Sequence, residues 1–593
     1  MAKKRRLVGV LAGGTATALA LVVAATPATA AAPPQRRPTA VGYGGAVSSV
    51  DPDATAIGLE VLRKGGNAVD AAVATAAALG VTEPYSAGIG GGGFFVYYDA
   101  ERKKISTIDG RETAPASFTS TVFTENGTAI PFAEAVTSGL SVGVPGTPLT
   151  WQRALDTWGT RSLAQSLRPA TALARKGFVV DATFRDQTAD NAARFADFPA
   201  TSALFLPGGR PPAVGSTLRN PDLARTYEQL ARGGVDQLYT GPIGADVVKT
   251  AQNPPVDPAA TRKVRKGQLT KADLAAYEAP FRAPTRTGYR GLDVYGMAPP
   301  SSGGTTVGEA LNILEKVGLE GVDRTQYLHR YLSATTLAFA DRNRWVGDPA
   351  TADVPVRELL SDRFAASRAC LVDPAAALTT PQPPADPRTA GTDCRVPAAA
   401  PAGAGREGPS TTHLTVADKW GNVVAYTLTI EQTGGSGITV PGRGFLLNNE
   451  LTDFNFVPVT PGVPDPNLPG PGKRPRSSMS PTIVLDHGRP LLALGSPGGA
   501  TIITTVLQVL LGRLDRGLTL PQAIAAPRAS GRNGAAVDAE PAFDTSALTP
   551  LGWKFTGVKE IGAVAAVEFL GNGRFLAAAE PTRRGGGSAG TVR

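Results

Sequence analysis

Thr411 and Thr429 are the two residues of this sequence whose side chains could most readily act together as a nucleophilic pair. Two strand-like runs flank Gly421, and a three-residue hairpin loop favours glycine at its left-handed position. This loop pairs Asp418 with Asn422, which sets Thr411 directly opposite Thr429. Because directly opposed residues have Cβ atoms about 5 Å apart, the register predicts two adjacent hydroxyl groups at the open end of the hairpin.

Cleavage of the chain before Thr411 would turn this threonine into a nucleophile that carries its own base. An α-amine has a pKa of about 7.7–8.0 and can accept the proton of a hydroxyl on the same residue. Thr429 could then hold the attacking oxygen in place. Residues 372–410, which precede the pair, are rich in Ala, Pro and Gly and indicate a mobile linker, as a self-cleaving precursor requires. The alternative is an ordinary β-hairpin, because threonine is common in strands.

Two further segments could bind the charged groups of a substrate. Arg111 follows a predicted strand over 104–109, where an arginine can grip a carboxylate with two parallel hydrogen bonds. A surface ion pair is the alternative for this arginine. Gly498 and Gly499 precede an apolar helix predicted over 500–514, so their N–H groups and the helix dipole could form an oxyanion hole. A plain strand-to-helix turn would have the same sequence.

The elements that must position these residues follow from periodicity and turn signals. Asn67 is a good helix N-cap with Asp70 three residues on, and Gly80 is a good end for that helix. The glycine run 88–93 matches G-x-G-x-x-G, but a strand follows it, so it indicates close backbone packing and not a dinucleotide site. Strands are predicted over 94–99, 104–109, 444–449, 482–485 and 490–494, and a first helix over 54–64.

Composition describes a large folded protein. The chain has 593 residues, 42% hydrophobic content and a net charge of +9. Its arginines are scattered and form no basic stripe, so we expect no nucleic-acid partner. The three histidines form no close cluster with cysteines, so no metal site is expected. Cys370 and Cys394 could form a disulfide or remain free thiols.

The first thirty residues have the pattern of a secretory signal peptide. Residues 3–6 are basic, 7–25 are apolar or small, and 28–30 form an A-x-A cleavage site. A membrane anchor is the alternative. The sequence therefore predicts a signal peptide over 1–30 and a secreted, extracellular protein of a bacterium, either free or associated with the cell wall.

Six segments, in this order, resemble the gamma-glutamyltransferase (gamma-glutamyltranspeptidase) family of N-terminal-nucleophile hydrolases. The resemblance implies an α/β (α+β) fold, a four-layer αββα sandwich made as one precursor. It also implies self-cleavage between Ser410 and Thr411 into a large subunit, 31–410, and a small catalytic subunit, 411–593, which stay together as a heterodimer. The segments are 65–93, 109–115, 410–422, 446–454, 473–481 and 495–499.

The resemblance also implies a role for each site residue. Thr411 matches the nucleophile, and Thr429 matches the threonine that orients it. Arg111, with Ser477 and Ser478, matches the grip on the substrate α-carboxylate. Asp453, beside Glu450, matches the carboxylate that holds the α-amine. Gly498 and Gly499 match the residues whose backbone N–H groups stabilise the oxyanion. Glu431 matches a position that is filled by Asn in some members of the family and by Glu in others.

The function implied is that of a gamma-glutamyltransferase and glutathione hydrolase without a cofactor. Glutathione and other γ-glutamyl compounds would donate the glutamyl group, and water, an amino acid or a peptide would accept it. One alternative is a glutaryl (cephalosporin-type) acylase, whose substrates lack the α-amine that Asp453 and Glu450 would bind. Another is an uncleaved binding protein on the same scaffold. The loop 457–476 contains no tyrosine to close the pocket, so a more open pocket is expected.

Overall fold

The structure, a computed structural model of the full chain, describes residues 35–391, Gly408 and 410–592, together with Met1, Ala2 and Gly9. The predicted signal peptide, apart from these last three residues, lies outside the described residues, and so does Cys394. Cys370 is disulfide-bonded, which favours the disulfide over the free thiols. Among the described helices, none is long and apolar enough to cross a membrane.

Two antiparallel sheets of seven strands each form the centre of the described structure. Sheet I has the spatial order Thr39–Gly42, Phe575–Ala579, Ala565–Phe569, Arg489–Gly495, Thr482–Asp486, Leu292–Gly296 and Thr285–Tyr289. Sheet II has the order Ser588–Thr591, Gly45–Ser49, Thr412–Asp418, Val423–Thr429, Gly92–Asp99, Lys104–Gly110 and Phe281–Arg282. Short strands elsewhere are Thr124–Glu125, Thr128–Ala129, Phe178–Val179, Thr217–Leu218, Ala529–Ser530, Val537–Ala539 and Phe555–Gly557.

Helices cover the outer face of each sheet. Sheet II is covered by Pro52–Arg63, Ala68–Thr82, Thr147–Trp158, Leu163–Lys176, Ala182–Ala196, Pro199–Phe205, Pro221–Gly233 and Pro242–Gln252. Sheet I is covered by Gly303–Val317, Arg324–Trp345, Thr501–Leu514 and Leu520–Ala525. Shorter helices are Phe132–Val136, Asp236–Tyr239, Lys271–Ala275, Val356–Leu359 and Asp362–Ala369.

Alternation along the strands explains why the layers form. In Gly92–Asp99, Phe95 and Tyr97 join the core under the first helical layer, whereas Phe94 and Val96 join the core between the sheets. Successive side chains of a strand point to opposite faces, so a strand buried on both faces is apolar throughout. The order of layers is helices, sheet II, sheet I and helices, which confirms the four-layer αββα sandwich.

The predictions for individual elements have mixed outcomes. Asn67 caps its helix with a reciprocal bond to Asp70, as predicted. The prediction that this helix ends at Gly80 is wrong, since the helix continues to Thr82. Glycine is needed there for packing, because a Cβ would lie 2.7 Å from Tyr227 Oη.

The glycine run and the segment that follows the hairpin position the site. A Cβ on Gly91 would lie 2.0 Å from the Thr429 carbonyl oxygen, which confirms close backbone packing. The strand predicted over 444–449 is wrong, because only Leu446 makes an isolated bridge, to Thr439. The backbone there bonds to loops instead, with the Asn448 N–H donating to the Gly90 carbonyl at 3.2 Å.

Of the segment 372–410, which was predicted to be a mobile linker, the structure describes residues 372–391, Gly408 and Ser410. Residues 372–391 form neither helix nor strand. They nevertheless contact the body of the protein, because Ala385 is buried and its N–H donates to Asp341 Oδ1 at 2.7 Å. The carbonyl of Ala385 accepts a bond from Trp345 Nε1, also at 2.7 Å.

Candidate active site

The threonine pair lies at the open end of the central hairpin of sheet II. The observed register pairs Thr412 with Leu428 and Ala417 with Val423, as the loop at Gly421 predicted. Thr411 stands one residue before the strand, and its hydroxyl donates to Thr429 Oγ1 at 3.2 Å. The predicted meeting of two hydroxyls is confirmed.

The backbone at Thr411 is strained. Its φ of 112° lies in the left-handed half of conformational space, where a β-branched residue is an outlier that costs about 1–3 kcal/mol. Ser410 on one side donates its hydroxyl to Tyr85 O and Ser86 Oγ, both at 3.0 Å. On the other side, Arg584 Nη1 donates to the Thr411 carbonyl at 2.7 Å. The peptide bond between residues 410 and 411 is therefore held from both sides.

Arg111 and two carboxylates form a buried charge cluster about this pair. The guanidinium is 1% exposed and forms ion pairs with Glu450 and Asp453. Its remaining N–H groups donate to the carbonyls of Pro475 at 3.1 Å and Arg476 at 2.9 Å. The alternative of a surface ion pair is therefore excluded for Arg111.

The charges of this cluster shift one another's titration. Burial lowers the pKa of the Arg111 guanidinium, but Glu450 and Asp453 more than offset this effect and hold it above its usual value. Glu112 is fully buried, and its carboxylate oxygens have no hydrogen-bond partner within the described part of the chain. Burial, followed by the charge of Glu450, raises the pKa of Glu112 well above its usual range, so its environment disfavours a further negative charge beside Glu450.

Glu431 connects the charge cluster to the threonine pair. Its N–H donates to Thr429 Oγ1 at 2.9 Å, and its φ of 79° is a second left-handed value at the site. Its carboxyl accepts bonds from Asn449 Nδ2 and from the N–H of Gly408, the latter at 2.7 Å. Burial, followed by the charge of Glu450, raises the pKa of Glu431 to about 8.

Two serines complete the wall opposite the threonines. Ser477 and Ser478 are both 2% exposed. The hydroxyl oxygen of Ser478 accepts a bond from Arg342 Nη2 at 2.7 Å, and that of Ser477 accepts a bond from the Met479 N–H at 3.2 Å. Neither hydroxyl donates a hydrogen bond to another of the described residues, so both protons could be donated to an anion.

The loop that contains Gly498 and Gly499, the predicted oxyanion donors, follows the sheet I strand Arg489–Gly495. Gly498 and Gly499 have φ values of 134° and 55°, and the helix Thr501–Leu514 begins directly after them. Buried His413 packs against Gly495 and bonds Thr427 Oγ1 at 2.8 Å and Thr415 Oγ1 at 3.0 Å. Burial lowers the pKa of His413 to about 3, so the ring is a neutral spacer between the strand Thr412–Asp418 and the end of the strand before Gly498.

The close contact between His413 and Gly495 predicts that Gly495→Ala destabilises the protein. The added Cβ would lie 2.3 Å from His413 Cε1, and overpacking of this kind costs about 1–3 kcal/mol. Thermal unfolding measures the effect. Gly288→Ala, in another strand of sheet I with nothing within 4 Å of the new Cβ, is the matched control. Equal melting temperatures for the two variants would contradict the spacer role of His413.

The site residues line one small cleft. Nine of the ten predicted residues line it, and Gly498 instead lines a neighbouring cavity. The cleft of the uncut chain has a volume of about 20 Å³, so the more open pocket expected from the loop without tyrosine is not found in this form. Gly408 and the ion pairs of Arg111 fill the space. The nine are Arg111, Thr411, Thr429, Glu431, Glu450, Asp453, Ser477, Ser478 and Gly499.

Sequence reasoning missed the residues that support these side chains. The sequence contained one indication that Glu112 belongs to the site, namely its position directly after Arg111. Asn449 likewise adjoins Glu450. Arg342 and Arg584 had no such signal, because each reaches the site from a distant part of the chain.

Comparisons with known proteins agree with this geometry. The sequence profile of the gamma-glutamyltranspeptidase family matches residues 54–590. A Bacillus subtilis (strain 168) protein named glutathione hydrolase proenzyme is 39% identical over 559 residues, which cover 92% of this chain and 91% of that protein. The Escherichia coli K12 protein of the same name is 39% identical over 495 residues, or 82% of this chain and 80% of that protein.

Comparison of the fold with solved structures leads to the same family. The crystal structure of a cephalosporin acylase from Bacillus halodurans superimposes with a TM-score of 0.81 at 28% identity, covering 94% of this chain and 98% of that one. Sequence and fold both match over most of the chain, which shows that it belongs to the gamma-glutamyltranspeptidase family of N-terminal-nucleophile hydrolases.

Proposed function

We propose that the protein is a secreted gamma-glutamyltransferase and glutathione hydrolase that matures by cutting itself between Ser410 and Thr411. Residues 31–410 and 411–593 would remain associated as large and small subunits. Support for maturation comes from the strained φ of Thr411 and from Gly408, which lies in the cleft of the uncut chain. Cleavage relieves the strain and frees the segment that fills the site.

The first step of maturation uses the same hydroxyl as the later reaction. Thr411 Oγ1 attacks the carbonyl carbon of Ser410, and the acyl group moves from nitrogen to oxygen. Water then hydrolyses the ester, which leaves a carboxylate on Ser410 and an α-amine on Thr411. That amine is the base that the mature nucleophile needs.

The pairing of Arg111 with Glu450 and Asp453 carries the assignment of substrate. A γ-glutamyl group is a zwitterion with a carboxylate and an ammonium on one carbon. Its carboxylate can take the place of the protein carboxylates at Arg111, and its ammonium can pair with those carboxylates in turn. Substrate binding thus replaces ion pairs within the protein by ion pairs with the substrate. No buried charge is left unpaired, which would cost several kcal/mol.

The catalytic cycle follows from this orientation. Thr411 Oγ1 attacks the γ-carbonyl while its α-amine takes the proton, and the amides of Gly498 and Gly499 stabilise the oxyanion. One such donor contributes about 3 kcal/mol. The amine of the leaving group takes the proton and departs, which leaves a γ-glutamyl ester on Thr411. Water releases glutamate, or an amino acid or peptide forms a new γ-glutamyl amide.

A comparison of γ-glutamyl and glutaryl anilides tests this proposal. The glutaryl group lacks the ammonium, so its carboxylate would enter beside Glu450 and Asp453 without a compensating cation. We expect kcat/KM to favour the γ-glutamyl anilide by at least about 100-fold, since an unpaired buried charge costs about 3 kcal/mol. Asp453→Asn should reduce this preference.

The alternatives give different results in the same assay. A preference for the glutaryl anilide would assign the chain to the acylases. The structurally similar Bacillus halodurans protein is named a cephalosporin acylase. Binding without turnover, by a chain that stays uncut, would support the binding protein.

A further inference from the structure

A second cavity meets the cleft at the loop that contains Gly498 and Gly499. It has a volume of about 320 Å³, at the lower end of the range for small-molecule sites. Gly498 lines this cavity and the next residue, Gly499, lines the cleft. Arg584 also lines the cavity and donates to the carbonyl of Thr411, which lines the cleft. The second cavity therefore adjoins both the nucleophile and the oxyanion donors.

The proposed reaction requires space beside the nucleophile for the leaving group and the acceptor. The acyl carbon bonded to Thr411 carries the glutamyl chain, which the charge cluster of Arg111 would take. The leaving group must extend away from that cluster, and an acceptor must enter where the leaving group departs. The cavity beside Gly498 is a space of this kind next to the cleft.

Carboxylates outnumber cations among the side chains that line the second cavity. Asp186, Asp190 and Glu560 face Lys559 and Arg584. The guanidinium of Arg584 is engaged with Thr411, while Glu560 accepts a bond from the Arg584 backbone N–H at 3.1 Å. An amine that approaches as an ammonium ion would be attracted to this site.

The two aspartates share one face of the helix Ala182–Ala196. Like charges four residues apart destabilise a helix by a few tenths of a kcal/mol. Asp186 has an ion pair with Arg185 of the same helix, and no ion pair is recorded for Asp190 within the described residues. Both side chains are exposed and line the cavity, so they are available to an incoming cation.

We propose that this cavity is the acceptor subsite, and that it selects amines bearing additional positive charge, such as peptides with a basic side chain. This inference rests on the proposed function. The free amine of the acceptor attacks the ester carbon, the new C–N bond forms, and the C–O bond to Thr411 breaks. The proton of the attacking nitrogen passes through the Thr411 α-amine to Thr411 Oγ1.

Three dipeptides that share one attacking group test the selection. Gly-Arg, Gly-Gln and Gly-Glu all attack through a glycine amine and differ in the charge of the second side chain. With a γ-glutamyl p-nitroanilide donor, we expect transfer efficiency to fall in that order. The Gly-Arg to Gly-Glu ratio should be about tenfold, because two exposed carboxylates each contribute up to about 1 kcal/mol. The ratio should fall as salt is added.

The double variant Asp186→Asn, Asp190→Asn should lower this ratio below about threefold. Asp156→Asn is the matched control, since Asp156 is exposed on the helix Thr147–Trp158 and does not line the cavity. It should leave the ratio at its wild-type value. Equal transfer to all three dipeptides, or an unchanged ratio in the double variant, would overturn the subsite. Failure to release any nitroaniline would instead overturn the proposed function, and the subsite with it.

Discussion

The Thr411→Ala protein is expected to remain one chain and to release no product from a γ-glutamyl anilide. Alanine has no hydroxyl to attack the Ser410 carbonyl, so neither the cut nor the new α-amine can form. Loss of a nucleophile typically lowers kcat by more than about 1,000-fold. A denaturing gel with N-terminal sequencing measures the cut, and nitroaniline release measures the activity.

Wild-type protein and a neighbouring variant supply the controls. The wild type should give a small fragment that begins Thr-Thr-His. Thr412→Ala should be cut and active, because Thr412 Oγ1 is buried without a recorded hydrogen-bond partner in the described chain. Two fragments from Thr411→Ala would show that another residue performs the cleavage. The proposed role of Thr411 in turnover would then also be contradicted.

Local sequence was sufficient to predict that the hydroxyls of Thr411 and Thr429 meet. The position of Gly421 sets the hairpin register, and strict alternation then decides which side chains meet at its end. The helix after Gly498 and Gly499 and the strand before Arg111 are likewise local features. Each of these predictions needed only a few neighbouring residues.

The supporting residues depend on contacts between distant parts of the chain. Arg342 lies 136 residues from Ser478, and Arg584 lies 173 residues from Thr411. Nothing in the local pattern around either arginine specifies such a partner. The erroneous strand over 444–449 has a different origin, because its backbone groups bond mainly to the irregular segment 430–440 and, at Asn448, to Gly90, and not to a neighbouring strand.

The ion pairs that Arg111 forms within the cleft were also not foreseen. The resemblance assigned Arg111 to a substrate anion, and Glu450 and Asp453 to a substrate cation, so each was considered separately. Opposite charges buried in a small space pair with each other, because an unpaired buried ion costs several kcal/mol. Residues that the resemblance assigned to opposite ends of a substrate are therefore also partners of one another.

Loss of this pairing in Arg111→Gln should affect both stability and catalysis. Glu450 and Asp453 would remain buried without a cation, which costs about 3–5 kcal/mol when one partner of a buried pair is removed. Unfolding of this variant in the Thr411→Ala background measures the cost without interference from cleavage. In a mature enzyme, kcat/KM should fall by about 1,000-fold or more, because the substrate carboxylate loses its charged partner.

Arg111→Lys separates charge from geometry. A lysine keeps the positive charge but cannot form the two parallel bonds of a guanidinium. Stability should therefore recover in large part, while KM for the γ-glutamyl anilide stays raised by about tenfold or more.

A variant of a second buried arginine, Arg368, shows whether Arg111 binds the substrate or has a purely structural role. Arg368 is fully buried and paired with Asp341 at 2.8 Å, but it does not line the cleft. Arg368→Gln should lower stability as Arg111→Gln does and leave KM near the wild-type value. If both variants changed KM equally, or if Arg111→Gln left KM unchanged, Arg111 would be a structural residue. The exchange of ion pairs on substrate binding would then have to be abandoned.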